Sequence, residues 1–244
     1  MARLVVVAEA RQAAPTLTEE ELLARLLYRD AMMLVIDKPS GIAVHRGPKG
    51  GENLEDYFTP LRFGLPRNPA LAHRLDRDTS GCLVLGRHRK ALEKLGLLFK
   101  QGKIEKRYWA VVDGTPAEDE GLIDLPLGRL DADRGWWMKP DPAGLPAKTM
   151  WRVLGRADGL AFVELAPLTG RTHQLRVHCA ALGWPILGDA IYGNGGMIGL
   201  QLHARMITIP LYKNKHPVTI VAPVPSHMRE TLGACDPSLL LEST

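Results

Sequence analysis

The stretch AHRLDRDTSGC, residues 72–82, runs without a break into the apolar segment CLVLG, residues 82–86, and the fold is read outward from it. The apolar run closed by Gly86 predicts a buried strand. Ahead of it stand two carboxylates, Asp76 and Asp78, among Arg74, Arg77 and nearby Arg87. Asp78 opens an Asp-Thr-Ser-Gly segment whose short polar side chains suit bonding to nearby backbone N–H groups, so its expected role is to shape a turn. Asp76 follows Leu75, a residue expected to point into the core, and therefore sits at the approach to the strand, where a carboxylate can stand on the rigid edge of a cleft. A carboxylate used as nucleophile or base has to stay ionised, and a guanidinium withdrawn from water beside it lowers its pKa. An arginine partner is expected for that reason, although a purely structural ion pair gives the same pattern without chemistry.

Upstream, TLTEEELLARLLYRD predicts a helix with Thr18 as N-cap, Glu21 as its reciprocal partner, and Leu22, Leu23, Leu26 and Leu27 on one face. MMLVIDKPSGIAVH reads as a short strand and a Pro-Ser-Gly turn, followed by a second extended piece with Ile42 and Val44. ENLEDYF reads as a short helix and RFGLPRNPAL as a Pro-punctuated loop. Downstream, RKALEKLGLLFKQG predicts an amphipathic helix stopped by Gly102, and RYWAVVDG another strand. Residues 115–147, rich in Pro, Gly and Asp, are expected to form loop, an insertion or a lid. MWRVLG, LAFVELAPL, LQLHARMITI and PVTIVAP then read as strands, with a helix from Thr172 to Leu182 among them. Strands interrupted by helices without regular alternation favour an α+β fold with a mixed, mainly antiparallel central sheet. The expected organisation is an N-terminal extension with a short helix over residues 1–30, one catalytic domain over 31–230 and a C-terminal tail over 231–244.

With 45% hydrophobic and 24% charged residues the chain has the composition of a folded protein, which excludes a largely disordered one. The formal charge is only +4, but residues 86–109 gather Arg87, Arg89, Lys90, Lys94, Lys100, Lys103, Lys106 and Arg107 against Glu93 and Glu105. Such a cluster is either a solvated helix face or the footprint of a polyanion. Cys82, Cys179 and Cys235 have no paired spacing, so neither a disulfide framework nor a zinc knuckle is indicated and a cytoplasmic setting is expected. The first apolar run is broken by Glu9 and Arg11, and no stretch approaches the roughly 20 apolar residues of a membrane span, so no membrane partner is expected.

A second constellation lies in PLTGRTHQLRVHCAALGWPILGDAIYG, residues 167–193. As a helix, Leu175, Cys179 and Leu182 form an apolar stripe, while His173 and Arg176, three apart, share a neighbouring face from which Arg176 can turn inward beside a carboxylate. The Gly170-Arg171-Thr172 approach suits phosphate contact at a helix N-terminus. His173 and His178 lack the i, i+4 spacing and acidic companion of a helical metal pair, so no metal is expected and bonds to backbone or RNA are. Tyr108 is a core aromatic or a stacking partner for a nucleobase.

HRLDRDTSG and GRTHQLRVH, preceded by IDKPSGIAVH, joined by KRYWAVVDG and followed by LQLHA, together resemble the RluA-type pseudouridine synthases. The matching segments run in order from about Leu34 to Pro217. The resemblance implies a single catalytic domain with a central RNA-binding cleft and an isomerase that needs no metal or organic cofactor. A uridine in ribosomal or transfer RNA is detached at its N1 glycosidic bond, the uracil is turned, and C5 is joined to C1′ of the ribose. Carried over by motif, Asp76 is the catalytic aspartate, Tyr108 lies against the uracil, Arg176 pairs with the aspartate, and Leu202 is an apolar wall. Arg74, Arg77, Lys106, Arg107, Arg171 and His173 are the expected RNA contacts, and a monomer suits a cleft that admits large RNA. Two departures stand out. Only about thirty residues precede LVIDKPSG, too few for the S4 domain of many relatives, and the stretch between LHA and HP is longer than the usual family version. Two other readings are a non-catalytic RNA-binding protein, against which Asp76, Tyr108 and Arg176 stand together, and a hydrolytic N-glycosylase. The second needs another carboxylate, whereas Asp78 is assigned to the turn and Asp189 reads as a loop residue.

Overall fold

A computed structural model describes residues 17–47, 50–131, 136–196 and 198–238. The two apolar runs flanking the 72–82 stretch find each other: Met33–Lys38 (β2) pairs antiparallel with Ser80–Gly86 (β4), Val35 opposite Val84 and Ile36 opposite Leu83. Both strands are buried throughout because each face meets a separate core. Leu34, Ile36, Leu83 and Leu85 pack against Leu54, Phe58 and Leu61, while Met33, Val35 and Val84 pack against Leu95, Ile207 and Ile209.

Around this pair the chain adds Leu26–Arg29 (β1), Ala70–Leu71 (β3), Glu105–Asp113 (β5), Glu120–Asp124 (β6), Lys148–Ala157 (β9), Leu160–Pro167 (β10), Leu202–Ile209 (β11) and Val218–Val221 (β12). Their order is β1-β2-β4-β11-β5-β10-β9-β6, with β12 beside β11 and β3 beside β4. Every pairing in this sheet is antiparallel except β4 with β11, so the sheet is mixed and mainly antiparallel as the sequence predicts. That parallel pair sets Ser80 opposite His203 and so brings the starts of two strands side by side at the middle of the sheet. Gly81 permits the approach: it has φ 104°, and a Cβ there would fall 2.4 Å from the Ala204 carbonyl oxygen.

Helices Glu19–Ala24 (α1), Arg89–Lys100 (α2), Gln174–Ala181 (α3) and Ser226–Cys235 (α4) flank the sheet. The Thr18–Glu21 capping box forms, but α1 stops at Ala24, and Leu26 and Leu27 enter β1 because pairing of Leu26 with Ile36 outweighs their helix propensity. Ile42 and Val44 are buried without forming a strand. Leu182 is 46% exposed, so the apolar stripe of α3 ends at Cys179. Residues 115–147 hold β6 and a hairpin of Leu127–Arg129 (β7) with Met138–Pro140 (β8), strands too short and too interrupted by Pro and Gly to show a period. Helix α4 crosses the expected boundary at residue 230 and buries Met228 and Leu232 against Val111 and Phe162. The proposed extension before residue 17 and tail after residue 238 lie outside the described residues.

Candidate active site

A cleft of about 1010 Å³ opens beside the β4–β11–β5 junction and is lined by Asp76, Tyr108, Arg176 and Leu202 together with Arg74, Lys106, Arg171 and His173. Its first wall is the loop before β4. Lys38, wholly buried at the end of β2, donates from Nζ to the carbonyls of Pro39 and Arg77, both at 2.8 Å. The Gly41 N–H donates to the same Arg77 carbonyl at 3.0 Å, and Ser40 Oγ donates to the Asp78 carbonyl at 2.7 Å. The Lys-Pro-Ser-Gly turn thus grips the backbone just after Asp76. Burial pushes the Lys38 ammonium down to about 7, against the opposing charges of Asp78 and Asp76.

Lys38→Met is expected to lower kcat while leaving RNA affinity nearly unchanged, because the turn loses two donors that hold the loop but no group facing the cleft. The unfolded chain binds a proton on this lysine up to its ordinary pKa and the folded chain only to about 7. Wild-type stability should therefore rise with pH between about 7 and about 10, and denaturant titrations of Lys38→Met should lack that rise.

Asp76 presents a side chain 20% exposed, with Oδ2 3.5 Å from Arg176 Nη1 and 3.8 Å from His173 Nε2. The guanidinium is aimed by another acid. Arg176 Nε and Nη2 each donate to Asp189 at 2.7 Å, and Asp189, 1% exposed, also accepts the N–H groups of Ile191 and Tyr192 at 2.9 and 3.1 Å. Burial alone raises the Asp189 pKa, but the Arg176 hydrogen bonds and charge outweigh it and hold the carboxyl below its usual range. Asp189 is a loop residue, as the sequence suggests, but a buried one that anchors Arg176. Its fork fixes two of the Arg176 nitrogens and leaves Nη1 for Asp76.

His173, in the left-handed region at φ 52°, is buried on the cleft wall. Its Nδ1 lies 2.8 Å from the Tyr192 hydroxyl, which accepts the Met138 N–H at 2.9 Å. With its oxygen accepting from Met138, the hydroxyl proton is free for Nδ1, which favours the tautomer carrying its hydrogen on Nε2, toward Asp76. Burial lowers the His173 pKa more than the Asp76 charge raises it.

Across the cleft, Leu202 pairs with Ala110 and Leu165 with Tyr108, which sets Leu202, Tyr108 and Leu165 on one sheet face. Burial, with the Asp76 charge behind it, pushes the Tyr108 phenol well above its usual value. Among the expected RNA contacts, Arg74 stands exposed on the cleft wall, and Lys106, its pKa lowered by burial, reaches the Thr169 carbonyl at 3.5 Å. Arg171 lines the cleft with its Nε on the Pro146 carbonyl at 3.0 Å, while its N–H, expected to face phosphate, is taken at 3.0 Å by Gln174 Oε1. Two further arginines carry ion pairs: Arg77, 62% exposed, pairs with Asp78 at 2.9 Å, and Arg107, which also lines the cleft, pairs with Glu164 at 2.7 Å. His178 is held by Thr149 Oγ1 and the Leu125 carbonyl, both at 3.0 Å. No group of three or more His, Cys, Asp or Glu side chains among the described residues is placed to hold a metal ion.

The arrangement offers a partly exposed carboxylate on the cleft wall, a fixed cation beside it and apolar and aromatic side chains lining the same cleft. A family model described as RNA pseudouridylate synthase matches residues 32–181, a span that contains Lys38, Asp76, Tyr108 and Arg176. The chain belongs to the RNA pseudouridylate synthase family. It is 44% identical to an uncharacterized RNA pseudouridine synthase of Zymomonas mobilis, over 82% of this chain and 94% of that protein. It is 39% identical to the dual-specificity RNA pseudouridine synthase RluA of Salmonella typhi, over 78% of this chain and 89% of that one. The solved structure of human RNA Pseudouridylate Synthase Domain Containing 4 superimposes with a TM-score of 0.75 at 27% identity, covering 88% of this chain and 94% of that one. The family and the RluA-type likeness make the chain an isomerase acting on RNA.

Sequence reasoning on this pseudouridylate synthase missed three residues. Lys38 closes an apolar strand ahead of a turn, a place where a solvated lysine is ordinary, so its burial was not signalled. Asp189 and Tyr192 stood together in LGDAIYG, but nothing in their spacing shows that Arg176 packs against them.

Proposed function

We propose that the enzyme converts a uridine of ribosomal or transfer RNA to pseudouridine, with Asp76 as the reacting carboxylate. The observation that carries this reading is the placement of Asp76 on the cleft wall, 3.5 Å from an Arg176 whose other nitrogens are already bound to Asp189. The target base leaves its stack at a cost of about a few kcal/mol and enters the slot between Tyr108 and Leu202. Breaking the N1–C1′ bond builds positive charge on the ribose. Asp76 answers that charge by stabilising it, by attacking C1′, or by taking the C2′ proton. The slot keeps the freed uracil until C5 faces C1′, and loss of the C5 proton completes the exchange. Arg74 contacts the backbone or fills the vacated stack, and Lys106 and Arg171 meet phosphates, which gives affinity a salt-dependent part.

Hydrolytic glycosylase chemistry is disfavoured because neither Asp189 nor Asp78 lines the cleft beside Asp76 as a second acid. In this reading the enzyme works as a monomer in the cytoplasm without metal or organic cofactor. Transcripts of ribosomal and transfer RNA carrying C5-tritiated uridine test it. Tritium release from one of these classes is expected, and release from neither would overturn the proposed substrates.

A further inference from the structure

The connection between β7 and β8, inside the segment that the sequence reads as loop or lid, brings Trp136 against His173 of the cleft wall. The indole is 57% exposed. It stands edge-on to His173 with centroids 5.5 Å apart and planes at 86°, and edge-on to Trp137 at 5.8 Å and 75°. His173 in turn reaches to 3.8 Å from the Asp76 carboxylate. A large aromatic surface therefore lies open to water one ring away from a residue that touches the reacting group. The strands that follow and precede it are tied down. Met138 is pinned to Tyr192, Leu127 exchanges backbone hydrogen bonds with Leu145 at 2.9 and 3.0 Å, and Leu127 and Ala147 are buried against Val177 of α3.

We propose that Trp136 is a stacking platform for the nucleobase next to the target uridine, a subsite separate from the slot of Tyr108 and Leu202. Turning the uridine into the cleft removes it from between its neighbours, and each neighbour then exposes an unstacked face. An exposed aromatic ring against His173 of the cleft wall offers that face a replacement, and stacking accepts any base because every base has a π surface. The cations lining the adjoining cleft, Arg74, Lys106 and Arg171, favour a strand of RNA over an apolar protein segment as the occupant. The inference rests on the Asp76 cleft being where the RNA reacts.

The test uses the full chain and an RNA shown to release tritium, with equilibrium binding read by fluorescence anisotropy. Trp136→Ala is expected to weaken binding and raise KM by roughly 5- to 150-fold with kcat little changed, and Trp136→Phe to restore most of the loss. The slope of log affinity against log salt should stay the same, because no phosphate contact is removed. An abasic nucleotide on one side of the target should weaken the wild type equally and leave Trp136→Ala with no further loss. Wild-type affinity in Trp136→Ala, or additive losses with the abasic nucleotide on either side, would overturn the proposal. Because binding is measured apart from turnover, failure of the Asp76 reading appears as absent tritium release in the wild type, independent of the Trp136 comparison.

Discussion

Asp76→Asn is expected to lower kcat by roughly 10²- to 10⁴-fold, or below detection, with RNA affinity unchanged or slightly higher. Asparagine keeps the size of the side chain and can still accept from Arg176, but it carries no charge to meet the developing ribose cation and cannot serve as nucleophile or base. Usually, removing one partner of a buried ion pair leaves the other stranded. Here Arg176 keeps both bonds to Asp189, so the unfolding midpoint should barely move. Single-turnover tritium release, anisotropy binding and denaturant unfolding separate these quantities. Losses of stability and affinity that parallel the loss of rate would assign Asp76 a structural role instead.

The second large effect falls on stability. Asp189→Asn takes the charge from the fork that holds the Arg176 side chain, 7% exposed, replaces one of its two acceptor oxygens with a donor, and leaves the Asp76 carboxylate at 3.5 Å as the charge beside it. Breaking a buried pair in this way costs about 3–5 kcal/mol, a large part of the roughly 5–15 kcal/mol that holds a domain folded. The released guanidinium is also free to turn its fork onto Asp76, so kcat should fall although Asp189 faces no substrate. The pH dependence follows from the lowered Asp189 pKa. Its contribution is complete above the unfolded carboxyl value near about 4 and is lost as pH falls through the lower folded value, where the unfolded chain binds the extra proton. Urea titrations should show the wild type losing stability over that acid range and Asp189→Asn lacking this component. Equal stability of the two proteins at neutral pH would remove Asp189 from its anchoring role.

The strands of the sheet were legible where apolar runs end in turn residues, as CLVLG and LAFVELAPL do, and so was the mixed, mainly antiparallel class. Leu26 and Leu27 were misread because a helical spacing and a capping box describe only the local chain, whereas Ile36 lies across the sheet. The strands β7 and β8, three residues each, are too short to carry a period. In the site, Asp76, Tyr108, Arg176 and Leu202 were named from their motifs, and the structure brings all four to one cleft. Motifs record which residues meet a substrate better than which residues hold them in place. Lys38 and Asp189, both buried and both acting through a neighbour, gain their meaning from the parallel β4–β11 junction and from the packing of α3, which no local pattern encodes. The ion pairs of Arg77 with Asp78 and of Arg107 with Glu164 were likewise not legible as such, the first joining chain neighbours in a turn and the second crossing between strands.

Product balance on one RNA tests the central claim most directly. After reaction with C5-tritiated substrate, the RNA is digested to nucleosides and the pseudouridine formed is compared with tritium released and with free uracil, for wild type and Asp76→Asn. Pseudouridine equal to tritium, no free uracil, and neither product with Asp76→Asn is the expected result. Free uracil from the wild type, or pseudouridine formed at the wild-type rate by Asp76→Asn, would contradict it.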